Sequence, residues 1–266
     1  MVDGSDYMII KNNKELEALK EIGKICAIVR DELAKATKAG VTTLELDLMA
    51  KDLFEKYGAV SAPIGEYDFP GYTCLSVNDV VAHGIPSNYV LKEGDKINID
   101  VSASKNGFFA DTGLTLNIPP VDEKLGKLQN VAKSALYKSI SKAMPGTSTS
   151  NLGRAVFNEA KQNGFNVIRN LTGHGVGKTL HDHPENIFNY NERRGSALLK
   201  NGHVLAIETF ISEEDAYIEE YPDGWTLKTP QKNIVYQFEH TVVVTNEGPM
   251  ILTNGEEMDF YDPFKK

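Results

Sequence analysis

Residues 91 to 100 read LKEGDKINID, and residues 199 to 208 read LKNGHVLAIE. Both fit L-K-x-G-x-x-x-x-I followed by an acid, and each lies downstream of a His-Gly pair, HGIP at His83 and HGVG at His174. Further upstream, Gly40, Leu46 and Gly58 recur in the same order as Gly146, Leu152 and Gly164. Self-similarity in a fixed order marks a duplicated unit. Ahead of each copy, apolar residues fall at helical spacing: Leu16, Leu19, Ile22, Val29 and Leu33 in the first, Leu125, Leu128, Val131, Leu136 and Ile140 in the second. TLELDLMAKDLFEKYG and SNLGRAVFNEAKQNG then read as second helices, opened by Thr or Ser caps and closed by glycine. Each half is helix, helix, strands. The expectation is an α+β fold in which two related halves, about 14–120 and 121–257, form one domain around one site, with a leader over 1–13 and a tail over 258–266.

The composition narrows the function classes. A chain of 266 residues with 41% hydrophobic content can bury a substantial core. Its 28 Lys and Arg stand against 37 Asp and Glu without a basic block, which argues against a nucleic-acid partner. Cys26 and Cys74 are too few and too far apart for a disulfide framework or a thiolate metal site, which suits a reducing compartment. The N-terminus lacks the basic and apolar regions of a secretory signal, and no apolar run reaches the roughly 18 residues of a membrane span. A cytoplasmic location with no membrane partner is expected.

Four acids interrupt apolar strand patterns. KINIDVSA and FFADTGLTLNI flank Asn106-Gly107, a strong two-residue hairpin turn. That turn sets Asp111 opposite Ser102 and Asp100 opposite Gly113, and it brings Asp100 and Asp111 to one face. The second half repeats the oddity with Glu208 at the end of HVLAIE and Glu239 inside IVYQFEHTVVVT. A buried carboxylate without a counter-charge costs several kcal/mol, and lysine and arginine are scarce in these strands. Two divalent ions would balance four carboxylates.

The stretch GHGVGKTLHDHP, residues 173 to 184, supplies histidines His174, His181 and His183. Imidazole is the commonest metal ligand, and the HExxH zinc signature is absent, so other ligands must come from elsewhere in the chain. Asp100, Asp111, His174, Glu208 and Glu239 together form a set rich in hard oxygen with one nitrogen, suited to Mn, Fe(II), Co or Zn.

SVNDVVAHGIP, NIDVS, ADTG, TGHGVGK, AIETF and QFEHTVVVT occur in an order and at a spacing that closely resemble the type I methionine aminopeptidases of the bacterial kind. The resemblance spans roughly Lys14 to Thr253 and implies the pseudo-symmetric "pita-bread" fold of peptidase family M24. It implies that Asp100, Asp111, His174, Glu208 and Glu239 bind two metal ions, with Asp111 and Glu239 bridging them. It further implies a metal-activated hydroxide with Glu208 as proton shuttle, His181 at the developing oxyanion and His83 at the scissile nitrogen. The implied reaction removes the initiator methionine of a nascent chain when the second residue is small. By position, Phe69, Tyr72, Cys74 and Trp225 would receive the methionine side chain. A monomer and a transient ribosome contact go with the resemblance. Thr209, where many members have proline, and Leu180, where some have an aromatic, depart from the pattern. Proline-specific relatives with the same ligands usually carry a further N-terminal domain, for which there is no room ahead of the first helix. His183 and His203 are expected in loops, and His240 is expected to face away from Glu239.

Overall fold

The computed structural model describes residues 8 to 255. The first half contains α1 (Asn13–Ala36), α2 (Thr43–Tyr57), β1 (Val60–Ser61), α3 (Ala62–Tyr67), β2 (Cys74–Val77), β3 (Val80–Ala82), β4 (Lys96–Lys105) and β5 (Phe108–Asn117). The second half contains α4 (Glu123–Ile140), α5 (Thr149–Gln162), β6 (Asn166–Val167), β7 (Thr172–Gly175), β8 (Asp182–Phe188), β9 (Val204–Ser212), β10 (Glu219–Glu220), β11 (Leu227–Lys228), β12 (Val235–Val243) and β13 (Met250–Ile251). Strands of both halves join one antiparallel sheet in the order β1-β4-β5-β12-β9-β7-β8, and β10, β11 and β3 form a small second sheet. The tail expected over 258–266 and residues 1–7 of the expected leader lie outside the described residues. The rest of that leader is docked on the domain: Met8 is buried, Ile9 bridges to His203, and the Ile10 N–H donates to the Gly202 carbonyl at 2.9 Å.

The duplication holds at the level of single hydrogen bonds. The Gly40 N–H donates to Leu91 O at 2.8 Å, and the Gly146 N–H donates to Leu199 O at 2.9 Å. Leu91 N–H returns to Val41 O just as Leu199 N–H returns to Thr147 O, and Thr42↔Val90 is matched by Ser148↔Leu198. Gly94 and Gly202, the glycines of the two L-K-x-G copies, both hold left-handed φ values, +84° and +91°, which β-carbon sterics make costly for other residues. The second helices begin as read. Thr42 caps α2 in a full capping box with Glu45, and Ser148 caps α5.

The helices cover one face of the sheet. α1 packs on β4 and β5, α4 packs on β9 and β12, and α2 and α5 lie against α1 and α4. Their apolar stripes meet sheet residues such as Val101, Ala110, Leu114, Ile207 and Phe238 in the main core. β12 is buried along its whole length, so each of its two faces must satisfy a different environment. His240 takes the helix side, with its Nδ1 2.8 Å from Thr253 Oγ1 and its ring beside Tyr137, and Glu239 takes the other.

Arg30 pins α1 to this arrangement from the helix side. The guanidinium is fully buried, pairs with Asp31 Oδ1 at 2.8 Å, and donates to Thr112 Oγ1 at 2.5 Å and to the Thr253 carbonyl at 3.0 Å. It thereby ties the first helix to the strand that carries Asp111 and to the chain just beyond β13. Replacing Arg30 with methionine removes the charge that balances the buried Asp31. The expected loss is about 3–5 kcal/mol of folding stability, read as a lower urea midpoint at unchanged slope.

Candidate metal centre and substrate cavity

The sheet register aligns the acids. Asp100 pairs with Gly113, Gly113 with Glu239, and Glu239 with Glu208, a single row across β4, β5, β12 and β9. The type I′-like turn at Asn106 (φ +53°) and Gly107 (φ +75°) sets the first of these pairings, with Asp111 opposite Ser102 as the sequence predicts. Asp111 stands two residues from Gly113 on β5, and His174 pairs with Ala206, two residues from Glu208 on β9. A two-residue step returns to the same face, so the row and its two neighbours converge on the side away from the helices. The Thr241 hydroxyl clamps the Asp111 backbone, accepting from its N–H and donating to its carbonyl at 2.8 Å each.

No lysine or arginine among the described residues forms an ion pair with these carboxylates. Burial, followed by repulsion from Glu239 and Asp100, lifts the Asp111 carboxyl well above the usual range. Burial and the neighbouring carboxylates do the same to Glu208 and Glu239, and burial raises Asp100. Asp111 Oδ1 and Glu239 Oε1 are buried without a hydrogen-bond partner. Asp111, His174 and Glu239 each offer a ligand atom within 4.8 Å of the others. His174 Nδ1 lies 2.8 Å from the Gly175 carbonyl, which can only accept, so Nδ1 carries the proton and the Nε2 lone pair is free. That Nε2 is 3.9 Å from both Asp111 Oδ2 and Glu208 Oε1. Burial pushes the His174 pKa down to about 3, which keeps the ring neutral and able to ligate. Two orphaned carboxylate oxygens beside an open imidazole lone pair fit a divalent cation.

These residues floor a cavity of about 470 Å³. His83 and His181 stand in it, and protein on most sides lowers both imidazolium pKa values, with His181 adding to the effect on His83. His83 is held by a left-handed φ of +53° at the end of β3, directly before Gly84. The His181 ring lies 4.2 Å from the His174 ring. Phe69, Cys74, Leu180 and Trp225 form the apolar wall, with Phe69 and Trp225 edge to face at 5.2 Å.

Against known proteins, the chain matches metallopeptidase family M24 over residues 17–246. It is 52% identical over 247 residues to the methionine aminopeptidase of Staphylococcus epidermidis, covering 92% of this chain and 98% of that one. It is 49% identical to methionine aminopeptidase 2 of Bacillus subtilis, over 92% of this chain and 99% of that one. The chain belongs to the methionine aminopeptidases of family M24. The crystal structure of the Thermotoga maritima methionine aminopeptidase, 35% identical, superposes with a TM-score of 0.89 and covers 93% of this chain and all of that one, which fits the pita-bread fold expected from the sequence.

Within this methionine aminopeptidase scaffold, some expected positions move. Tyr72 does not line the cavity. It packs against the main core, where its backbone N–H donates to the Asp47 carboxylate of α2 at 2.9 Å and holds the stretch ahead of β2 to that helix. The Thr209 side chain lies on the helix face, with its hydroxyl nearest the Ala132 and Phe238 carbonyls at 3.4 Å, so this departure leaves the cavity wall untouched. Leu180 is part of the wall. His183 falls within β8, where a loop was expected, and His203 is buried beneath the docked N-terminal segment.

Gln237 was not singled out by sequence reasoning. Its amide donates to Glu239 Oε2 at 3.1 Å and accepts from Asn98 Nδ2 at 2.7 Å, which orients the glutamate. Gly113 makes room for it, since a β-carbon there would sit 2.2 Å from Gln237 Oε1. Replacing Gln237 with leucine is expected to weaken metal binding about 10- to 100-fold in chelator competition. The carboxylates of raised pKa must shed protons before they ligate, so metal uptake should release protons, and the measured affinity should fall as pH is lowered.

Proposed function

We propose that this chain removes the initiator methionine from nascent polypeptides whose second residue is small, using two divalent ions. The carrying observation is the row of Asp100, Glu239 and Glu208, with Asp111 and one neutral histidine beside it, at the floor of an apolar-walled cavity. The names of the relatives at about half identity give the substrate class. Asp100, Asp111, His174, Glu208 and Glu239 would hold the ions in this reading. Bound there, the ions supply a water acidic enough to attack near neutral pH and positive charge beside the scissile carbonyl. Mn, Fe(II), Co and Zn all suit the ligand set, and cellular availability selects among them.

The chain's own groups do the rest. Glu208, raised in pKa by burial and by Asp100 and Asp111, takes the proton of the attacking water and passes it to the leaving amine. His181 donates to the oxygen that gains negative charge, and His83 holds the scissile peptide nitrogen. The methionine side chain enters between Phe69, Cys74 and Trp225. The edge-to-face pair of Phe69 and Trp225 offers the sulfur–aromatic contact a thioether favours, and burial keeps the Cys74 thiol protonated and apolar in character. The preference for a small second residue is carried over from the family resemblance. A cytoplasmic monomer with transient access to the ribosome completes the reading, and no helix among the described residues is long and apolar enough to cross a membrane.

The test is anaerobic loading of the purified protein with Mn, Fe(II) or Co and comparison of Met-Ala-Ser with Ala-Pro-Ala, with chelated protein as control. Metal-dependent methionine release from the first peptide alone is expected. Cleavage of only the proline peptide would move the site to the proline-specific branch of the family. Glu208→Ala should lower kcat by about 10²- to 10⁴-fold and weaken one of the two metal-binding steps.

A further inference from the structure

Tyr67 closes the last turn of α3 at the cavity mouth, and its hydroxyl oxygen lies 2.6 Å from Nδ1 of His181. The two rings meet at a tilt of 58° with centroids 5.5 Å apart. Either atom could donate in principle. A phenol is the better donor and an imidazole nitrogen the better acceptor, so the stable arrangement is O–H to Nδ1. Burial, Glu66 and Asp111 raise the Tyr67 pKa further, which keeps the phenolic proton in place. With Nδ1 occupied as an acceptor, the single proton of the neutral ring resides on Nε2, the only ring nitrogen left to meet a substrate. The assignment is the mirror of His174, whose Nδ1–H donates to Gly175 and whose Nε2 is left bare. Two histidines whose ring centroids lie 4.2 Å apart are thus given opposite tautomers by their partners, one as a ligand and one as a donor.

We propose that Tyr67 is a positioning residue that fixes His181 in the Nε2–H tautomer and orientation, so that this ring donates to the carbonyl oxygen of the peptide under cleavage. The proposal rests on the peptidase reading of the cavity. Its energetic scale is set by exposure: Tyr67 is 43% accessible, and water can replace part of its hydrogen bond. A bond to an oxygen that becomes charged only during reaction affects turnover more than substrate affinity.

The experiment is a cycle of Tyr67→Phe, His181→Ala and the double variant on the metal-loaded protein, with ¹⁵N NMR of the His181 ring recorded in parallel. Tyr67→Phe keeps the ring and removes only the hydroxyl. It should lower kcat on Met-Ala-Ser about 5- to 10-fold with KM nearly unchanged, and in the His181→Ala background it should have no further effect. In the unsubstituted protein the NMR spectrum should show His181 protonated at Nε2 and hydrogen-bonded at Nδ1, and in Tyr67→Phe the Nδ1 signal should move as that donor is lost. Unchanged kinetics in Tyr67→Phe, or the same loss with and without His181, would overturn the proposal, as would a proton found on Nδ1 in the unsubstituted protein. If no peptide is cleaved at all, the peptidase reading fails, while the NMR result still decides the tautomer.

Discussion

Four carboxylates brought together at the centre of one sheet require positive charge that the chain itself does not supply. Burial and mutual repulsion raise the pKa values of Asp100, Asp111, Glu208 and Glu239, and two of their oxygens have no hydrogen-bond partner. Several kcal/mol per desolvated charge would disfavour such a row unless cations entered it. The surroundings follow from that need. Gly113 gives up a side chain so that Gln237 can reach Glu239, Thr241 holds the Asp111 backbone, and Gly175 fixes the lone pair of His174.

The opposite face of the same strands solves a different problem. There Arg30 and His240 sit among apolar side chains, each with its polar atoms met by Thr112, Thr253 or Tyr137. Alternation along β5 and β12 keeps the two chemistries apart by the thickness of one backbone. Asp111 and Thr112, or Glu239 and His240, are neighbours in sequence and strangers in environment. The four carboxylates and His174 all stand on strands, and on the helix side α1 adds the buried pair of Arg30 and Asp31 to its apolar stripe.

What the sequence made legible was what depends on short-range pattern. The repeat of L-K-x-G, the Asn-Gly turn and the acids breaking apolar alternation are local signals, and the hairpin register that follows from them agrees with the pairing of Asp100 with Gly113 and Ser102 with Asp111. Residues whose roles come from strands distant in sequence were not legible. Gln237 meets Glu239 two residues along its own strand, but Asn98, which holds its amide in place, comes from β4, and no local pattern announces that partner. Tyr67 lies on a six-residue helix among irregular chain, and it reaches His181 only through the tertiary fold. Tyr72 failed as a wall residue for the same reason: in a stretch without periodicity, the direction of a side chain cannot be counted off.

The strand order β4-β5-β12-β9 places the midline of the site between the first half's last long strand and the second half's. Neither half owns the centre: each contributes two carboxylates, and each ends at an unpaired edge if the other is removed. A polypeptide of half this length could build such a row only by self-association about a twofold axis, with identical groups on both sides. Fusion into one chain lifts that identity requirement, so the His-Gly histidine of one copy, His174, can become a ligand while that of the other, His83, is left to face the cavity. Asymmetry at the reacting centre is thus something a covalently joined pair can evolve and a symmetric dimer cannot.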